Sequence, residues 1–125
     1  MSFEAALKTH LQSDATIAAL VGDRIHPALL PAGSALPALT YQHIGGAVMT
    51  DLSGGDGDLR NPRVQINCWA ESYVQAHALS EAVRARLQTA ASTFKAVPVL
   101  GPQDAYEQNT KRHGVYYDYS FMVRS

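Results

Sequence analysis

The run from Val115 to Val123 constrains this chain most. Val115, Tyr117, Tyr119, Phe121 and Val123 alternate with Tyr116, Asp118, Ser120, Met122 and, one step on, Arg124. Successive side chains of a strand point to opposite faces, so this pattern predicts a strand with one wholly apolar or aromatic face and one mixed face. Such a strand needs pairing neighbours and a layer covering its apolar side. With 125 residues, the chain can bury roughly two-thirds of its unfolded surface. A core is therefore expected without disulfides or a structural metal, and residues 1–125 read as one domain.

The rest of the chain supplies the partners. Phe3, Ala6, Leu7 and Leu11 have helical spacing behind Ser2, with Glu4 in the first turn. Asp14 can cap a short helical turn ending at Val21, where Ile17, Leu20 and Val21 share a face and Gly22 stops it. Arg24-Ile25-His26 is a short extended piece before Pro27. A loop with Pro27, Pro31, Gly33 and Pro37 leads into a strand from Ala38 to Ile44, which Gly45-Gly46 ends or bulges. Val48 to Asn61 lacks periodicity and is expected to be a long loop. In Arg63 to Ala70, Val64, Ile66, Cys68 and Ala70 should face the core, while Arg63, Gln65, Asn67 and Trp69 face away.

A main helix is expected over about 72–90, with Ser72 and Gln75 forming a capping box. Its predicted apolar stripe is Val74, Ala78, Leu79, Ala82, Val83 and Leu87, with Glu81, Arg84, Arg86 and Gln88 toward solvent. Phe94 to Leu100 reads as a strand at an edge because of Pro98, and Gln103 to Asn109 as a further short strand. A turn from Asn109 to Gly114 carries Lys111, Arg112 and His113 at its tip. The predicted class is α+β: a mostly antiparallel sheet of four to five strands, with an N-terminal helix and the long helix packed on one face.

Ten Lys and Arg against 11 Asp and Glu give a formal charge of −1, and only 17% of residues are charged. A specific nucleic-acid binder would carry a basic field, so that class is disfavoured. No secretory signal and no membrane-spanning stretch is recognised, so a soluble intracellular protein is expected. Near-neutrality gives little colloidal repulsion and leaves self-association open.

The chain carries no complete catalytic or metal-binding sequence pattern. His10, His26, His43, His77 and His113 fall on separate elements without metal-ligand spacing, and each reads as a surface or half-buried polar residue. Cys68 is alone, so no intrachain disulfide or Cys-based zinc site can form, and its inward position makes it a small hydrophobe. Gly54-Gly55-Asp56-Gly57-Asp58 lacks the Lys and Ser/Thr of a phosphate loop and the downstream Glu of a calcium loop. No carboxylate pair suggests acid–base work. The expectation is no enzyme activity, no cofactor and no metal. Arg84 with Arg86 and Lys111 with Arg112 read as solvated basic clusters. Trp69 stands on the polar side of its strand, where an indole needs cover from this chain or from another subunit.

Taken in order, these features resemble the tail-completion, or tail-terminator, proteins of long-tailed bacteriophages and prophages. The resemblance runs through Phe3-Glu4-Ala5-Ala6-Leu7, Asp14-Ala15 and Ile17 to Ile25, the Pro-rich turn, and Leu36 to Gln42. It continues through the glycine and aspartate loop, Arg63 to Ala70, Ser72-Tyr73 to Arg84, Tyr106-Glu107 and Tyr116 to Phe121. These are core and turn positions, so order and spacing carry the likeness. The family's Val/Ile-Asp pairing in the third strand is Asn67 here.

The resemblance implies a virion protein of the tail, made in the bacterial host cytoplasm. It would assemble as a homo-oligomer, a hexameric ring on the head-proximal end of the tail tube. There it stops tube polymerisation and meets the head–tail connector proteins, with no membrane or specific nucleic-acid partner. The candidate contact residues are Met49, Asp51, Leu52, Asp56, Asp58 and Arg60 in the loop, Arg63, Gln65 and Trp69 on the strand, and Lys111 and Arg112 at the turn. A small non-viral ligand-binding or regulatory α+β module is the alternative, distinguished by a monomer or dimer with an apolar pocket.

Overall fold

The computed structural model describes residues 3–47, 59–89 and 94–124. Helix α1 (Phe3–Gln12) buries Phe3, Leu7, His10 and Leu11, a single stripe at helical spacing. Helix α2 (Ala15–Val21) starts where Asp14 Oδ1 accepts from the backbone N–H of Thr16 at 2.9 Å and of Ile17 at 3.1 Å. It stops at Gly22, whose φ of +57° suits a residue without a Cβ.

Among the described residues, five strands form one sheet: β1 (Ile25–Pro27), β2 (Ala38–Ala47), β3 (Leu59–Ala70), β4 (Phe94–Glu107) and β5 (Arg112–Arg124), in the spatial order β1-β2-β3-β5-β4. The β1–β2 pair is parallel and the other three pairs are antiparallel. Between β3 and β4 runs α3 (Tyr73–Gln88), packed against β3, β4 and β5. The predicted α+β class and mostly antiparallel sheet are both present, with β4 at the edge that Pro98 indicated.

The main core of the described residues lies between the sheet and the helices. Val64, Ile66 and Cys68 of β3 and Tyr117, Tyr119, Phe121 and Val123 of β5 meet Leu7, Leu11, Ile17, Val21, Leu79, Val83 and Leu87. Phe3, Phe94 and Phe121 pack edge to face at one end, with centroids 5.0–5.8 Å apart. The predicted inward sets of β3 and β5 are all buried.

Several local expectations are corrected. The loop predicted from Val48 to Asn61 gives way to strand by Leu59. The strand start is carried by pairing on both sides, Leu59 with Arg124, and Asn61 and Pro62 with Ala47 and Gly46 across a shift in the β2 register. Residues 48–58 lie outside the described residues. The two short strands predicted after the main helix are one strand, because β5 pairs with β4 through register irregularities at Pro98/Leu100 and Leu100/Gln103. Helix α3 is capped at Ser72, whose Oγ accepts from Gln75 N–H at 3.1 Å, but its buried stripe is Ala76, Leu79, Ser80, Val83 and Leu87. Val74 and Ala78 are exposed: the stripe is turned about the helix axis from the predicted one, and a Ser on it bonds back to the His77 carbonyl.

The arginines of α3 do not simply face solvent. Arg84 lies over the Tyr117 ring, 5.8 Å from its centroid. Arg86 donates to the His10 carbonyl at 2.9 Å and to Ser13 Oγ. In return His10 Nε2 lies 3.2 Å from the Arg86 carbonyl and 3.0 Å from that of Thr89, so it carries the proton and caps the end of α3. His10 is thus buried, where a surface or half-buried position was expected. Two further histidine contacts pin the helices to the sheet: His43 to Glu4 at 2.6 Å and His77 to Asp104 at 2.8 Å.

Candidate interaction face

Because α1, α2 and α3 cover one side of the sheet, the alternate residues of β2 to β5 stand on the other. Cross-strand register places Arg63, Ser120 and Val97 in one row of that face, and Gln65, Asp118 and Leu100 in the next. Asn67 lies between Thr40 and Tyr116, and Trp69 between Ala38 and Gly114.

The central part of the face is a bonded polar array. Gln65 Nε2 donates to Asp118 Oδ1 at 3.1 Å, and Asn67 Nδ2 donates to Gln65 Oε1 at 3.3 Å. Arg63 approaches Asp118 Oδ2 at 4.0 Å, and Asp118 is only 6% exposed. A carboxylate so enclosed on a sheet face needs these partners, since burying an unpaired charge is costly. Asn61 Nδ2 adds bonds to Ser120 Oγ at 2.9 Å and the Phe121 carbonyl at 2.6 Å.

Trp69 is drawn onto its own chain. Its Nε1–H donates to the buried Thr40 Oγ1 at 3.1 Å, and the Arg112 guanidinium lies 5.1 Å from its ring centroid. Arg112 is held in turn by Glu107 at 2.9 Å. The Thr110 hydroxyl, 2.6 Å away, is the largest influence holding the Glu107 carboxyl below the usual glutamate range, with Arg112 assisting. This corrects the expected turn tip. Lys111 alone stands out, with φ +53° and an exposed side chain, while Arg112 begins β5 and folds back. His113 is half-buried beside Tyr106, with centroids 4.8 Å apart.

Toward β4 the same face turns apolar. Val97 is 53% exposed, Leu100 48% and Met122 37%, and Lys95 opposite Met122 supplies the bordering charge. Contiguous exposed apolar groups rimmed by polar ones mark interaction sites.

The structure therefore brings Arg63, Gln65, Trp69 and Arg112 onto one face, with Lys111 at the adjoining turn. The backbone of Arg60 pairs with Val123 in the same sheet. Met49, Asp51, Leu52, Asp56 and Asp58 lie outside the described residues. Among the described residues, no group of three or more His, Cys, Asp or Glu is placed to hold a metal ion, and no helix is long and apolar enough to cross a membrane. Cys68 is buried in the core, which pushes its thiol far above the ordinary range.

Over residues 5–124 the sequence matches the family described as tail completion protein gp17. The chain belongs to that family. Membership carries a role in phage tail morphogenesis, in line with the resemblance carried by core and turn positions. No curated protein matches this tail completion protein's sequence. Its fold is similar to that of a chain in the virion of a native gene transfer agent particle, with a TM-score of 0.70 and 21% identity over 99% of this chain and 96% of that one.

Sequence reasoning missed Val97 and Leu100 as part of the face. Val97-Pro98-Val99-Leu100 is apolar throughout, so no alternation shows which side each residue takes. Met122, apolar on the mixed side of the clearest strand, together with Tyr116 and Trp69, is the signal of apolar surface beyond what one covered sheet face needs.

Proposed function

We propose that this protein completes the phage tail by capping the head-proximal end of the tail tube. There it stops tube polymerisation and offers a surface to the head–tail connector. Residues 1–125 act as one domain and assemble as a homo-oligomeric ring, a hexamer, within the virion tail after synthesis in the host cytoplasm. The role is structural, without catalysis, cofactor, metal, membrane or specific nucleic-acid partner. Family membership supports the tail assignment.

The observation that carries the contact role is the sheet face turned away from the helices, where exposed Val97, Leu100 and Met122 adjoin a bonded polar array. A sheet face of this kind is suited to protein contact, with apolar groups supplying burial and the fixed polar groups supplying register. Arg63, Gln65, Trp69, Lys111 and Arg112 belong to that surface and its adjoining turn. Arg60, in β3, provides a further contact, as do Met49, Asp51, Leu52, Asp56 and Asp58.

Deleting the gene from the phage or prophage that carries it tests this role. Electron micrographs should show tails of uncontrolled length or tails that fail to join heads, and the wild-type gene should restore both. Normal infectious particles from the deletion contradict the reading.

A further inference from the structure

We propose that the β4–β5 patch of one copy, Val97, Leu100 and Met122 bordered by Lys95 and Arg63, receives the outer face of α3 of a second copy. This names the partner of the contact face and rests on the ring reading above. Charge is the first argument. Lys95 is exposed beside the patch, and Asp118, the acid within it, is buried, bonded to Gln65 and balanced by Arg63, so the border is net positive through Lys95. The patch thus offers apolar area with a basic border.

The outer face of α3 is the complement. Val74, 75% exposed, lies in line with Ala78, Glu81 and Ala85 at helical spacing, and all four are exposed. A solvated helix face ordinarily mixes both signs of charge. Here Arg84 is drawn over Tyr117, and Arg86 is held by the His10 carbonyl and Ser13. Both helix arginines are diverted, leaving the outer face apolar and acidic.

Topology supplies the second argument. The patch is on the side of the sheet turned away from the helices, and the outer face of α3 is on the opposite side of the molecule. Joining them pairs two different surfaces, so each copy keeps one of each free. Such a heterologous contact propagates, closing as a ring or continuing as a filament, and does not form a two-fold dimer.

The test is thiol cross-linking of tails purified from a host supplying the double variant Val74→Cys/Leu100→Cys. Both positions are exposed, and the native Cys68 is buried beyond the reagent. A short bis-maleimide should yield a ladder of covalent multimers beyond the dimer, while each single variant yields only monomer. A lysine-directed cross-linker on the same tails reports self-contact of any geometry. Multimers with that reagent but no thiol ladder overturn this pairing and leave the ring standing. No multimers with either reagent overturn both. Dimers from a single variant, or cross-links from L100C to a chain of different mass, overturn the pairing in favour of a two-fold contact or a different tail protein.

Discussion

Gly114 lies directly beneath the indole of Trp69, so close that a Cβ at Gly114 would stand 2.8 Å from Trp69 Cζ3. The two residues are paired across β3 and β5. The missing side chain lets the ring lie against the sheet, with its N–H on Thr40 and Arg112 over it.

Gly114→Ala should therefore destabilise the protein by about 1–3 kcal/mol, because neither the ring nor the strand backbone can give way cheaply. The same change in a Trp69→Ala background should cost clearly less than in the wild type. Urea midpoints for the four members of that cycle measure the coupling. Equal costs in both backgrounds contradict the contact.

The two sides of α3 should respond differently to truncation. Leu79→Ala removes a fully buried side chain from the core and should cost about 2–5 kcal/mol. Val74→Ala, on the exposed side, should stay within about 0.5 kcal/mol of wild type in the free protein. Chemical denaturation of the two variants distinguishes the observed buried stripe from the one that sequence periodicity suggests.

Glu107 gives the protein a defined acid sensitivity. Its carboxyl is held below the ordinary range by the Thr110 hydroxyl first and Arg112 second. A depressed folded pKa contributes stability above the unfolded glutamate pKa, and the contribution disappears as pH falls through the folded value. The wild type should therefore be more stable than Glu107→Gln at neutral pH, and the difference should shrink as the pH approaches about 3. Thermal midpoints of both proteins across that range check the sign, and a constant difference contradicts it.

Cys68 should report global unfolding. Burial raises its thiol pKa and blocks access, so the native protein should resist alkylation at about pH 8, where an exposed thiol reacts readily. Labelling across a urea series should follow the loss of secondary structure. Rapid labelling of the native state contradicts the buried placement.

Much of this architecture is written in local pattern. Alternation in Val115–Val123 and Val64–Ala70 identifies the two central strands and their inward faces, and Asp14, Gly22 and Ser72 punctuate the helices through specific caps. What local pattern hides is decided by distant pairing. Leu59 to Pro62 looks like loop but is held as strand by β2 and β5, and β4 is continuous across Pro98 and Pro102 because β5 is its template. Periodicity also misplaces the buried stripe of α3, whose inner side packs against β3, β4 and β5, and Arg84 and Arg86 turn toward partners far away in sequence. For the face, Arg63, Gln65 and Trp69 were legible from alternation alone. Arg112 was misplaced because Trp69 and Glu107 draw it back from the turn.

Complementation of the gene deletion with Val97→Asp/Leu100→Asp tests the central claim most directly. Both residues are exposed, and because a carboxylate at position 100 stands opposite that of Asp118, Val97→Asp alone is the control that should unfold near the wild-type midpoint. Placing two carboxylates in the apolar patch should leave the deletion phenotype in electron micrographs, with uncontrolled tail length or unjoined tails. Tails of normal length joined to heads, at wild-type frequency, would contradict a contact role for this face.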